Sequence, residues 1–126
     1  MASARAERSR VLLVEDDSAV RPALLGALEA AGLEAVGTGD AMEALAILAQ
    51  RRVAVVVADY HLPGIAGLDL LAALRGTAPG TALILYSGGM TDELAAEARD
   101  FGVRVVLEKP ISVEQLVEAV RAALRG

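Results

Sequence analysis

The chain has 126 residues, a length suited to one domain with a real hydrophobic core, and it carries a net charge of −5 with only 2% aromatic residues. That charge argues against non-specific binding to a phosphate backbone, and so few aromatics argue against the stacking platforms of single-strand and RNA binders, so no direct nucleic-acid partner is expected. With no cysteine there is neither a disulfide nor a thiolate metal site, which suits a reducing, cytoplasmic setting.

The opening "MASARAERSR" carries Arg5, Arg8 and Arg10 but leads into only four apolar residues, too few for a signal-peptide core. Residues 1–9 are expected to be a short mobile tail before a single domain over 10–126. "VLLV" (11–14) reads as the first strand, followed by a helical pattern near 18–31 that Gly32 closes; Pro22 falls early in that helix and predicts a late or loose start. "EAV" (34–36) is the second strand, and Asp40 with Glu43 forms a capping-box pattern for a helix near 40–50. "VAVVVA" (53–58) is a continuous β-branched run, the signature of a central strand buried on both faces. A helix near 65–75 follows, then "ALILY" (82–86), a helix near 91–100 capped by Thr91, "VRVVL" (103–107), and a helix over 113–125 opened by a Ser112–Gln115 capping box. No apolar run approaches the roughly 18 residues needed to span a bilayer, so no membrane partner is expected. No attached effector domain is expected within these 126 residues.

Five βα units in succession predict a parallel α/β sheet covered by helices on both sides and joined by right-handed crossovers. Ligands of such sheets bind at the carboxyl ends of the strands. The segments at those ends are "EDDS", "DYHLPG", "SGG" and "EKP". If strands one and three are neighbours, Glu15, Asp16 and Asp59 converge. Like charges about 4 Å apart repel by roughly 1 to 4 kcal/mol per pair at effective dielectric constants of 80 to 20, so the cluster must take up protons or a cation. An all-oxygen donor set with few protein ligands suits Mg²⁺. Asp17 and Ser18 read instead as caps of the next helix. Asp59 ends the most buried strand and is presented rigidly, as a carboxylate nucleophile must be. Ser87 offers a hydroxyl, Gly88 and Gly89 permit close backbone approach, and Lys109 offers a compact positive charge. Lys109 is the only lysine beside eleven arginines, and the two cations are not interchangeable at a tight site.

The motifs "VLLVEDD", "VVVADYHLPGIAG", "LILYSGG" and "LEKPIS", in this order and spacing, resemble the receiver domain of two-component response regulators over residues 10 to 125. The resemblance implies a doubly wound, flavodoxin-like (βα)5 sandwich with strand order 2-1-3-4-5. It implies an acidic pair, Glu15 and Asp16, that binds Mg²⁺ together with Asp59 and the backbone carbonyl of His61. It makes Asp59 the acceptor of a phosphoryl group from a histidine kinase or phosphotransfer protein, with Ser87 and Lys109 engaging the phosphoryl oxygens, Lys109 where an arginine fork would be too large. The Lys109–Pro110 bond is expected to be cis, and the His61 side chain to tune access to the phosphoryl group. Such a module is not an enzyme beyond its own phosphorylation and dephosphorylation, and is either stand-alone or part of a larger regulator or hybrid kinase. One departure stands out: Val106 occupies the place, three residues before the lysine, where the family usually carries Tyr or Phe.

Two other classes are weaker. A pseudo-receiver acting only as an interaction module conflicts with the intact set of Glu15, Asp16, Asp59, Ser87 and Lys109. An aspartate-nucleophile phosphatase needs an acid two residues after the nucleophile, where this chain has His61. Nucleotide binding finds no glycine-rich phosphate loop.

Overall fold

A computed structural model describes residues 10–126; the tail expected over 1–9 lies outside the described residues. The elements alternate without exception: β1 (Arg10–Val14), α1 (Val20–Ala30), β2 (Glu34–Thr38), α2 (Ala41–Gln50), β3 (Val55–Asp59), α3 (Gly67–Thr77), β4 (Ala82–Ser87), α4 (Asp92–Asp100), β5 (Val103–Glu108) and α5 (Val113–Arg125). The strands form one parallel sheet in the order β2-β1-β3-β4-β5, as expected.

Strand alternation splits the core into two layers. Leu12, Val14, Val56, Ala58, Leu83 and Leu85 pack with α2, α3 and Ala98 of α4. Val11, Leu13, Val55, Val57, Ile84 and Tyr86 pack with α1 and α5. All five residues of β3 are buried, the consequence of a β-branched run with helices on both faces. Helix α5 shows how pattern becomes packing: Leu116, Ala119, Val120 and Ala123, spaced three and four apart, are its buried stripe.

Several boundaries differ from the sequence reading, each for a local reason. Strand β2 runs on through Gly37 and Thr38, beyond the expected 34–36, because its ladder with β1 extends to the Val14–Thr38 pair. Strand β3 starts at Val55 and ends at Asp59, so the acid itself belongs to the ladder, opposite Tyr86. Helix α3 begins at Gly67, where the Tyr60 ring lies so close that a Cβ would overlap it. Helix α1 begins at Val20, two residues late, and Pro22 sits in its first turn, where a missing N–H leaves no helical bond unmade. The Asp40–Glu43 capping box is not formed; the Asp40 side chain accepts from Met42 N instead. The Ser112–Gln115 box is formed in both directions.

Candidate functional site

Four strands deliver their last residues to one edge of the sheet. Alternation turns Glu15, Asp59 and Tyr86 toward the same face as Leu13, Val57 and Ile84. Glu15, Asp16 and Asp59 each bring a carboxylate oxygen within 4.8 Å of the others. Glu15 and Asp59 are buried while Asp16 faces solvent, so the cluster has two fixed walls and one open side. The expected convergence of β1 and β3 is therefore present, and its donor set of carboxylate oxygens fits a hard cation such as Mg²⁺.

Each buried acid is held by specific donors. Glu15 Oε1 accepts from the Tyr86 hydroxyl at 2.7 Å and Oε2 from Asp17 N at 3.0 Å. Its main chain is fixed as well, with Glu15 N donating to Thr38 O at 2.9 Å and Arg21 donating to Glu15 O at 2.8 Å. Asp59 Oδ1 accepts from His61 N at 2.9 Å, and Oδ2 accepts from Lys109 Nζ at 2.8 Å. Asp17 accepts from Ala19 N and Val20 N in the turn leading into α1, but the cap position itself is Ala19, which has no side-chain bond, so neither Asp17 nor Ser18 is the cap residue; the two bonds hold the Asp17 carboxyl below the usual range.

Lys109 is thus the built-in counter-ion of the cluster. Burial lowers its basicity, but the hydrogen bond it donates to Asp59 and the fields of Asp59, Glu15 and Asp16 outweigh burial and leave its affinity for the proton raised. Its ammonium also lies 5.1 Å from the centroid of the Tyr86 ring, inside the cation–π range. The backbone aims it: Lys109 N donates to Ser87 O at 2.9 Å, and the Lys109–Pro110 bond is cis, as expected.

Ser87 lies fully buried at the end of β4, but its hydroxyl donates to Gly88 O at 2.9 Å rather than to a carboxylate. The His61 side chain is exposed and meets the Tyr60 ring edge-on at 5.1 Å, while its main chain lies beside Asp59. Two participants escaped the sequence reading. Tyr86 was read only as a strand residue; its place on the face of Glu15 could have marked it, had the register been known. Arg21 carries no local signal, because its partner is a carbonyl six residues away.

The family model of the response regulator receiver domain matches residues 11–121. This chain belongs to that family. Among curated proteins, the receiver is 35% identical over 117 residues to the C4-dicarboxylate transport transcriptional regulatory protein DctD of Pseudomonas aeruginosa, covering 93% of this chain and 25% of that protein. It is 34% identical over 114 residues to the sensor histidine kinase AruS of the same organism, covering 87% of this chain and 11% of that protein. The chain therefore spans a minor part of both. Among solved structures, a CheY-like response regulator receiver domain protein from Methanospirillum hungatei superposes with a TM-score of 0.87 at 26% identity, covering 93% of this chain and 94% of that one. Receivers of this family bind Mg²⁺ at an acidic cluster and interact with a histidine kinase or a phosphotransfer protein, and Glu15, Asp16 and Asp59 form such a cluster here. Among the described residues, no helix is long and apolar enough to cross a membrane.

Proposed function

We propose that this receiver accepts a phosphoryl group on Asp59 from a phosphohistidine of a histidine kinase or phosphotransfer protein. The observation that carries this reading is the Asp59–Lys109 pair at 2.8 Å inside a cluster of three carboxylates within 4.8 Å, at the carboxyl end of the most buried strand.

Glu15, Asp16, Asp59 and the carbonyl of His61 would hold Mg²⁺. The cation, when bound, supplies neutralisation of the charge gathered between the carboxylates and the phosphoryl oxygens. An Asp59 oxygen attacks phosphorus in line, the new O–P bond forms as the P–N bond of the donor breaks, and the imidazole leaves with the bonding pair and takes up a proton. The backbone N–H of His61 keeps the other Asp59 oxygen in place. Lys109, released from carboxylate Oδ2, follows the charge to a phosphoryl oxygen. The Ser87 hydroxyl turns from Gly88 O to another, a rotation about one bond. Because phosphoryl transfer needs positioning and charge neutralisation more than covalent assistance, these few groups suffice.

On this reading the protein acts on no separate substrate; it catalyses only its own phosphorylation and dephosphorylation. The absence of cysteine and of a spanning helix among the described residues supports a cytoplasmic setting. The match to both a transcriptional regulator and a sensor kinase supports a signalling module whose output lies in a partner or a larger parent protein. Incubation with Mg²⁺ and acetyl phosphate tests the reading. The intact mass is expected to rise by one phosphoryl group in wild-type protein and not in Asp59→Asn. Wild-type labelling of the Asp59→Asn variant would remove Asp59 from its role.

A further inference from the structure

Among the described residues, Tyr86 touches both halves of the site, and the reaction above leaves it without a task. It is 1% exposed, stands opposite Asp59 in the β3–β4 register, and has no polar neighbour on its own strand face, where Ile84 precedes it. An aliphatic side chain here would end in the apolar layer. The phenol instead reaches past β3 and donates to Glu15 Oε1, just beyond the end of β1, at 2.7 Å. The second Glu15 oxygen has its own donor, Asp17 N at 3.0 Å. One donor per oxygen fixes the carboxylate and still leaves each oxygen a lone pair for a cation. The same residue presents its ring 5.1 Å from the Lys109 ammonium.

We propose that Tyr86 is a positioning residue of the receiver site: its hydroxyl aims the Glu15 carboxylate at the Mg²⁺ held with Asp16 and Asp59, and its ring steadies Lys109 beside Asp59. The inference rests on the receiver reading. A buried glutamate has three side-chain torsions to order when a cation arrives; two donors have already ordered this one during folding, so binding no longer bears that entropy. The hydroxyl also satisfies an oxygen whose burial without a donor would be costly. Partners that orient a metal-ligating side chain typically control affinity by roughly 10–100-fold.

The test compares Mg²⁺ affinity, by calorimetry and by competition with Mn²⁺, in wild-type protein and Tyr86→Phe. The affinity is expected to fall by about tenfold or more. A residue serving packing alone would lower thermal stability and leave the Mg²⁺ affinity at its wild-type value, and that result overturns the proposal. A second measurement is independent of how well that variant folds. Tyr60→Phe leaves Tyr86 as the only tyrosine in a chain without tryptophan, and its near-ultraviolet spectrum is expected to shift with the midpoint of Mg²⁺ binding. A spectrum unmoved through saturation is equally fatal. Tyr86→Leu removes the ring too, and is expected to label with acetyl phosphate more slowly than Tyr86→Phe at saturating Mg²⁺; equal rates overturn the ring's share. Wild-type protein that bound no Mg²⁺ would overturn the receiver reading and this inference together, whereas wild-type binding with an unchanged Tyr86→Phe overturns this inference alone.

Discussion

The two ends of the sheet handle positive charge in opposite ways. At the amino end, Arg75 of α3 donates from Nε to Phe101 O at 3.1 Å, from one terminal nitrogen to Pro79 O at 2.8 Å and Thr81 O at 3.3 Å, and from the other to Gly102 O at 2.8 Å. Four carbonyls from the loops entering β4 and β5 share one guanidinium. At the carboxyl end, Lys109 makes a single ion pair, with Asp59 at 2.8 Å, and its side chain remains 38% exposed. A five-donor planar fork suits many fixed acceptors; a point charge on a flexible stem suits one acceptor that must be exchanged for another. On the proposed function, the lone lysine among eleven arginines stands where the partner changes, and the arginine where nothing should.

Substitution at position 109 breaks this comparison most sharply. Lys109→Ala removes the ammonium paired with Asp59, which on the proposed function follows the charge to a phosphoryl oxygen, and loss of one such group costs on the order of 10²-fold in rate. Lys109→Arg keeps the charge but is expected to recover little of the rate, because the fork must fit beside a carboxylate, a ring and a phosphoryl group at once. Labelling rates with acetyl phosphate at saturating Mg²⁺ measure both. Full activity in Lys109→Arg would show that charge alone matters, and the distinction between the two ends would fall.

The amino end responds in stability rather than chemistry. Arg75→Ala leaves four carbonyls to water and loosens two loops, at a cost of about 2 kcal/mol, or roughly 30-fold in the folding constant. Arg75→Lys is expected to recover less than half, since three donors on a point charge cannot reproduce the fork. Denaturant midpoints read these effects, and phosphorylation of the folded variants should proceed at the wild-type rate. A matching loss of labelling would mean that the two ends are coupled.

Legibility in the sequence divides along the same line. The order of elements was readable because β3's "VVVAD" and α5's stripe of Leu116, Ala119, Val120 and Ala123 are local patterns. The site acids, Ser87 and Lys109 were readable because a parallel sheet sends whatever ends its strands to one edge. Tyr86 and the long-range half of the Arg75 network were not, for Glu15 lies 71 residues from Tyr86 and Phe101 and Gly102 lie 26 and 27 from Arg75, and only the register and loop packing bring them together. Asp40 was misread in detail for a subtler reason: two acceptable hydrogen bonds compete at a helix start, and the shorter link to Met42 N prevails over a reciprocal box. The state of Ser87 was also beyond the sequence, since a hydroxyl follows its best available acceptor, here Gly88 O.

A smaller effect sharpens the picture of the carboxyl end. Asp16 is the exposed member of the acid cluster, so Asp16→Ala removes a ligand while relieving repulsion on Glu15 and Asp59. Mg²⁺ affinity is expected to fall by at least the roughly tenfold that loss of a mere orienting partner costs, with the stability of the metal-free protein unchanged or raised by a few tenths of a kcal/mol. Calorimetric titration and thermal melts without metal check the two halves separately, and unchanged affinity would take Asp16 out of the site.

The smallest expected change is at Val106, where receivers usually carry an aromatic ring that turns inward as the hydroxyl closes on the phosphoryl group. Val106 is half-buried, pairs with Leu85 in the β4–β5 ladder, and packs on the layer that includes Ala98. Valine is stiff at χ1 and too short to sweep the volume a ring does, so it gives β5 no second arrangement to adopt. Helix α4 differs: Ala98 is its only buried residue, against four in α5, and few buried contacts mean a low cost of displacement. Its leading loop begins at Gly88 and Gly89, directly after the hydroxyl that must rotate. A switch needs two arrangements of one element and a ligand that favours one of them, and among the described residues the segment 87–101 is the candidate we put forward. Beryllofluoride with Mg²⁺ is therefore expected to shift the amide resonances of 87–101 while the Val106 methyl groups report an unchanged rotamer. Shifts centred on Val106 and β5, with 88–101 silent, would place the moving element on the strand instead.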